Sequence, residues 1–149
     1  MTAAAPTTTG QDAPAADEFA ELAKLVRQWT LRPTGHAWDL VLTTYGAAGE
    51  RAVRWMERFQ VGGCGPVIAH GDSLLWLVPP GTLAQWMHPR GLCYGRAFRI
   101  PVPPPAKRQG PGPHWRVPQS ADRLIVPELL AHALDRFELA PPMPVMVRA

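Results

Sequence analysis

The side chains best suited to chemistry lie in one stretch of the chain. Residues 73–121 hold six cations, Arg90, Arg96, Arg99, Lys107, Arg108 and Arg116, and no acidic residue, and these are interleaved with Trp86, Tyr94, Phe98 and Trp115. Guanidinium and ammonium groups attract phosphates, and flat aromatic faces stack on bases. The mixture therefore suits a groove for single-stranded nucleic acid or a nucleotide. A plainer origin stays open: helices carry most of the acids, so the strands and loops between them are left as a solvated basic face. Arg96 and Arg99 also fall on opposite faces of a regular strand, which would divide the set.

Other constellations carry less. Cys64, His70, His88 and Cys93 are of the residue types that bind zinc, but their Cys-x5-His and His-x4-Cys spacings lack the close cysteine pairs of structural zinc sites. A thiol nucleophile built from Cys64 with His70 or His114 has no third group to orient the histidine and no oxyanion donor. Gly62-Gly63-Cys64-Gly65 is glycine-rich, yet a phosphate cradle needs a helix N-terminus behind it, and here Pro66 leads into a strand. That run reads as a turn. No catalytic residue and no cofactor is assigned.

These residues must be positioned by short elements, because 18 Pro and 13 Gly in 149 residues favour turns over long helices. Residues 1–16 are mostly Ala, Thr, Pro and Gly, with Gln11 and one acid, Asp12, and little to bury, and disorder is expected there. Residues 17–29 carry Phe19, Leu22, Leu25, Val26 and Trp29 at helical spacing behind Asp17, a plausible N-cap. A turn is expected at Arg32-Pro33-Thr34-Gly35, then a strand from Trp38 to Tyr45. A second amphipathic helix follows from Ala47 to Phe59, with Ala52, Trp55, Met56 and Phe59 on its apolar face.

Val67–His70 and Leu74–Val78 read as a β-hairpin across Gly71-Asp72-Ser73, closed by Pro79-Pro80-Gly81-Thr82. Arg96–Val102 and Trp115–Val117 read as a second hairpin around the Pro103–Pro113 loop. Pro127 suits the first position of a last helix, with Leu130, Leu134 and Phe137 on one face, ended by Pro141 and Pro142. The fold class expected is α+β: an antiparallel sheet of about four to five short strands with two to three helices packed on it. Residues 17–138 form the expected domain and residues 139–149 a Pro-rich C-terminal tail.

The run Trp38-Asp39-Leu40-Val41, a helix, Gly65-Pro66-Val67-Ile68, Leu74 through Thr82, then His114-Trp115-Arg116-Val117-Pro118 resembles part of the actinobacterial bifunctional primase-polymerase N-terminal-domain-like proteins. The similarity spans residues 38–137 and rests on hydrophobic strands followed by turn residues. It implies a basic surface for nucleic acid or nucleotide. A nucleotidyl transferase of this kind also needs clustered carboxylates holding two metal ions about 4 Å apart. The twelve acids here are scattered, mostly over helix surfaces, with no Asp-x-Asp pattern. The resemblance therefore implies a shortened, non-catalytic relative.

Length fits one domain with a single core, and the apolar fraction of 46% is ordinary for a globular protein. No window approaches the apolar length of a membrane span and no secretory signal opens the chain, so a cytoplasmic protein with reduced cysteines and no membrane partner is expected. Two functions fit. One is a non-catalytic accessory module binding single-stranded nucleic acid or nucleotide through the basic stretch, with Trp86 and Trp115 as aromatic contacts. The other is a protein-interaction or regulatory domain using the Pro103–Pro113 loop and exposed tryptophans.

Overall fold

Strands whose side chains are apolar on both faces must be covered on both faces, and two runs in this chain have that character. Asp39–Thr44 and Ser73–Val78 are almost wholly buried, with Leu40, Val41, Leu74, Trp76, Leu77 and Val78 at 0% exposure. They form the centre of a sheet in the computed structural model, which describes residues 30–35, 37–96, 99–120 and 123–142. The expected tail at residues 1–16 and helix at residues 17–29 lie outside the described residues, as do Phe98 and the chain beyond Pro142.

In chain order the strands are β1 (Thr30–Pro33), β2 (Asp39–Thr44), β3 (Val67–His70), β4 (Ser73–Val78), β5 (Leu92–Tyr94), β6 (Arg99–Val102) and β7 (His114–Val117). The helices are α1 (Gly46–Phe59) and α2 (Pro127–Arg136), with a 3-10 turn at Thr82–Ala84. Five strands make an antiparallel sheet in the order β5-β2-β4-β3-β7, and β1 pairs with β6 in a separate two-stranded ribbon. The architecture is α+β.

Alternation divides the core in two. Val41, Leu74, Trp76, Val78, Val67 and Ala69 point to the face covered by Ala52, Val53 and Met56 of α1 and by Leu130, Ala133 and Leu134 of α2. Leu40, Leu42, Ile68, Leu75 and Leu77 point to the other face, under Trp38, Ile100 and Trp115. Buried polar groups are paired: the Trp76 indole N–H donates to Thr43 Oγ1 (2.8 Å), and Asp39 Oδ2 accepts the N–H groups of Gly81 (3.0 Å) and Leu83 (3.1 Å) at the 3-10 turn.

The β3–β4 hairpin forms as the sequence suggests, and Pro127 is the first residue of α2. The second expected hairpin does not form. β7 pairs with β3, and β6 pairs with β1. Two features prevent a β6–β7 ladder. The backbone N–H of Trp115 donates to the Lys107 carbonyl (2.9 Å), which occupies a donor on the edge of β7 away from β3. Pro101 also leaves β6 without one donor, which suits a ribbon better than an interior strand.

The strand β1 overlaps what reads as a turn at Arg32–Gly35, and β5 lies inside a segment with no strand signal. Gly46 opens α1 at φ +61°. The buried face of α1 is Gly49, Ala52, Val53 and Met56, so Trp55 lies at its margin and Phe59 is 53% exposed. The core also runs past the expected domain end at Glu138 to Leu139, which is fully buried.

Candidate functional site

The segment leading into α2 is fixed first, because it places an arginine. Ile125 is fully buried, and its N–H donates to the Leu77 carbonyl (2.9 Å). Gln60, at the end of α1, clamps the same segment: its amide nitrogen donates to the Leu124 carbonyl (2.9 Å) and its oxygen accepts the Val126 N–H (3.0 Å). Arg123 is thereby held with its guanidinium over Gly62, whose φ is +83°.

The Gly62-Gly63 turn needs its glycines. Gly63 has φ +97°, and a Cβ there would sit 3.0 Å from Glu57 Oε2. Glu57 projects from the exposed side of α1, and its Oε1 accepts the backbone N–H of Cys64 (3.1 Å).

Arg116 arrives from the sheet edge through a β-bulge. Val67 pairs with Val117 while Ile68 pairs with Trp115, so Arg116 is the extra residue on β7. Such bulges re-aim side chains. Trp115 enters the core on the ribbon side and Val117 packs toward the helices. Arg116 reaches α1, where its Nε donates to Glu50 Oε1 (3.0 Å) and its Nη2 to Glu50 Oε2 (2.5 Å). Tyr45 donates to the same carboxylate (3.0 Å), and so does Arg54 Nε (3.2 Å).

This network holds the Glu50 carboxyl at about 2, chiefly through the hydrogen bond from Arg116, with burial opposing. A folded value below the unfolded one means that Glu50 stabilises the fold fully above about pH 4.5, and the contribution is lost as pH falls toward 2. Glu50→Gln should flatten the pH dependence of the thermal midpoint between those values. An unchanged acid profile in the variant would show that Glu50 is not the titrating group.

Arg54, Arg108, Arg116 and Arg123 line one cavity of about 440 Å³, with Glu57 and Cys64 on its wall. Arg54 and Arg116 share Glu50. Arg108 and Arg123 have no carboxylate within salt-bridge distance among the described residues. A small cavity lined by several guanidinium groups attracts an anion, and planar forks match the geometry of phosphate.

The cations of the acid-free stretch are thus divided. Arg108 and Arg116 meet at the cavity. Arg90 is engaged elsewhere: its Nη1 donates to the Leu139 carbonyl (2.6 Å) and its Nε lies 3.4 Å from Asp135 Oδ1, beside His88 Nε2 at 3.0 Å. Arg90 precedes edge strand β5 and Arg116 lies on the opposite edge strand β7, four strand spacings or roughly 19 Å away across the sheet. Arg96 is exposed beside Gly35, Arg99 is exposed on β6, and the Lys107 carbonyl holds β7.

Trp115 cannot serve as a stacking platform. It is 3% exposed, and its indole N–H donates to the Pro103 carbonyl (3.0 Å). Trp86 is half-buried against the helix-side core with its N–H on the Gly91 carbonyl (2.9 Å).

The four residues of zinc-binding type do not meet. Cys64 precedes β3, His70 ends it about 10 Å further along, and Cys93 lies on β5 beyond β4 and β2. Among the described residues no three His, Cys, Asp or Glu side chains form a group able to hold a metal ion. His114 pairs with Ala69, near the His70 end of β3, so neither histidine approaches Cys64. Burial pushes both thiols up to about 12, with help from Glu57 at Cys64 and from Asp39 at Cys93, so neither is a thiolate at neutral pH.

Arg54 and Arg123 were not among the expected site residues. Each lies outside the acid-free stretch, and only the Gly62-Gly63 turn, over which the Arg123 guanidinium closes, marks the place in the sequence. Among the described residues no helix is long and apolar enough to cross a membrane. Compared with known proteins, the chain matches no family model, no curated protein and no solved structure.

Proposed function

We propose that this chain is a non-catalytic cytoplasmic module that binds nucleic acid or nucleotide by its phosphate at the arginine cavity. The observation that carries this is the convergence of Arg54, Arg108, Arg116 and Arg123 on one cavity, two of them without a carboxylate partner among the described residues. The buried, protonated thiol of Cys64 on the cavity wall supports binding rather than covalent chemistry. A primase-polymerase-like relationship would account for a phosphate-binding surface in a chain without clustered carboxylates, and it belongs to the same proposal.

Contacts by two or three guanidinium groups set the expected salt dependence. Binding of a 5′-phosphorylated oligothymidylate, read by fluorescence anisotropy, should weaken roughly tenfold between about 50 and 200 mM salt. No binding at the lower salt would rule the function out, and salt-independent binding would rule out the site.

One observation favours protein interaction as a second function, at a surface separate from the Pro103–Pro113 loop. Phe59, Val61 (96% exposed) and Val126 (41% exposed) border an apolar groove between α1 and α2, floored by Trp55 stacked on His132 at 5.5 Å. If a partner docks here, Phe59→Ser with Val61→Ser should abolish its capture, and deleting residues 109–111 should not.

A further inference from the structure

The arginine cavity discriminates among phosphates more narrowly than a basic patch would. It is a pocket and not a track. An extended polynucleotide backbone needs cations spaced along a groove, but Arg90 lies across the sheet at the opposite edge. A polynucleotide also gains from aromatic platforms, and among the described residues no aromatic side chain lines the cavity.

Charge points the same way. A phosphate diester carries one negative charge, and a monoester carries roughly 1.5 to 2 at neutral pH. The cavity's four guanidinium groups, set against the carboxylates of Glu50 and Glu57, leave two positive charges, which match the monoester, and Arg108 and Arg123 are the two with no carboxylate within salt-bridge distance among the described residues. Arg54 and Arg116 have part of their charge met by Glu50.

Glu57 gives the second half of the specificity. A carboxylate in an anion pocket repels bare phosphate, and this one is fixed there by the turn it caps. Its Oε1 is occupied by the Cys64 N–H, while its Oε2 lies over Gly63 with no hydrogen-bond partner among the described residues, on the side of the turn that Arg123 also overhangs. An ionised carboxylate oxygen only accepts hydrogen bonds. A sugar hydroxyl is a donor of the right kind, and carboxylates are used in this way for ribose hydroxyls in nucleotide sites.

Resting on phosphate recognition at this cavity, we infer that it selects compact phosphate monoesters bearing a free hydroxyl, with the phosphate on Arg108 and Arg123 and the hydroxyl on Glu57 Oε2. Free sugar phosphates and the sugar-phosphate end of a nucleotide or oligonucleotide share this chemistry. The volume of about 440 Å³ lies within the range of small-molecule sites.

The test is calorimetric titration of the full chain with inorganic phosphate, ribose 5-phosphate, adenosine 5′-monophosphate, and oligothymidylate with and without a 5′-phosphate. Ribose 5-phosphate should bind about tenfold more tightly than inorganic phosphate, as a charge-assisted hydrogen bond warrants. Equal affinity for the nucleotide and the sugar phosphate identifies the sugar phosphate as the whole determinant, and tighter nucleotide binding adds a contact from the base. The oligonucleotide should require its 5′-phosphate.

Glu57→Gln should tighten inorganic phosphate and bring the ribose 5-phosphate preference toward unity, whereas Arg108→Ala should weaken both ligands. If oligonucleotides bind regardless of the 5′-phosphate and small monoesters do not bind, the cavity's selectivity is refuted while nucleic-acid binding stands. If no phosphate compound binds, both fail. An unchanged preference in Glu57→Gln overturns the assignment of the hydroxyl to Glu57.

Discussion

Gly65→Ala should lower the thermal unfolding midpoint by roughly 10–20 °C, the equivalent of about 3 kcal/mol in a domain of this size. A Cβ at Gly65 would lie 2.4 Å from the carbonyl carbon of Leu124 and 2.5 Å from the Ile125 nitrogen. Both are backbone atoms, so no rotamer change relieves the overlap. The strand-like segment 124–126 would have to move off the sheet, breaking the Ile125 bond to Leu77 and the two bonds to Gln60.

The same displacement carries Arg123 away from Gly62. Gly65→Ala should therefore weaken phosphate binding even below its own melting transition. A variant that melts within about 2 °C of the parent would mean that the close approach of these backbones is not required.

The double variant Arg108→Glu with Arg123→Glu should reduce affinity for phosphate-bearing ligands by at least about a hundredfold, with little loss of stability. Two attractive charges become repulsive at close range, and each lost charge-assisted hydrogen bond is worth about 1.5–3 kcal/mol. Arg108 is exposed, and among the described residues neither anchors another element through an ion pair. Arg96→Glu with Arg99→Glu changes net charge by the same amount at exposed residues that do not line the cavity, and affinity should then stay within about threefold, as screened long-range terms allow. Equal losses in the two double variants would indicate diffuse attraction to a basic protein rather than a site.

Much of the fold was legible in the sequence. The apolar runs at Trp38–Tyr45 and Leu74–Val78 give the two central strands, Gly71-Asp72-Ser73 gives the hairpin, and Pro127 opens the last helix where its ring is tolerated. Edge elements were less legible because their signals are short. β5 has three residues, all half-buried, and its pairing with β2 is set by distant chain. In α1, the 49/52/53/56 and 52/55/56/59 faces both satisfy helical spacing, and only the sheet beneath decides that the smaller residues turn inward.

The candidate site was legible only in part, for a related reason. Arg108 and Arg116 stand out in a stretch without acids, but Arg116 reaches α1 through a bulge that no local pattern encodes. Arg123 is placed by backbone contacts with Leu77 and Gln60, more than forty residues earlier in the chain. Trp115 beside a basic loop looks like a contact residue, yet its partners are Pro103 and the ribbon-side core.

Mapping the amide signals of uniformly labelled protein during titration with inorganic phosphate tests the central claim most directly. Saturable shifts confined to Arg54, Glu57, Gly62, Gly63, Cys64, Arg108, Arg116, Val117 and Arg123 are expected, with Gly91–Gly95 across the sheet unmoved. Shifts scattered over the basic surface, or centred on Arg90 and Arg99, would contradict it.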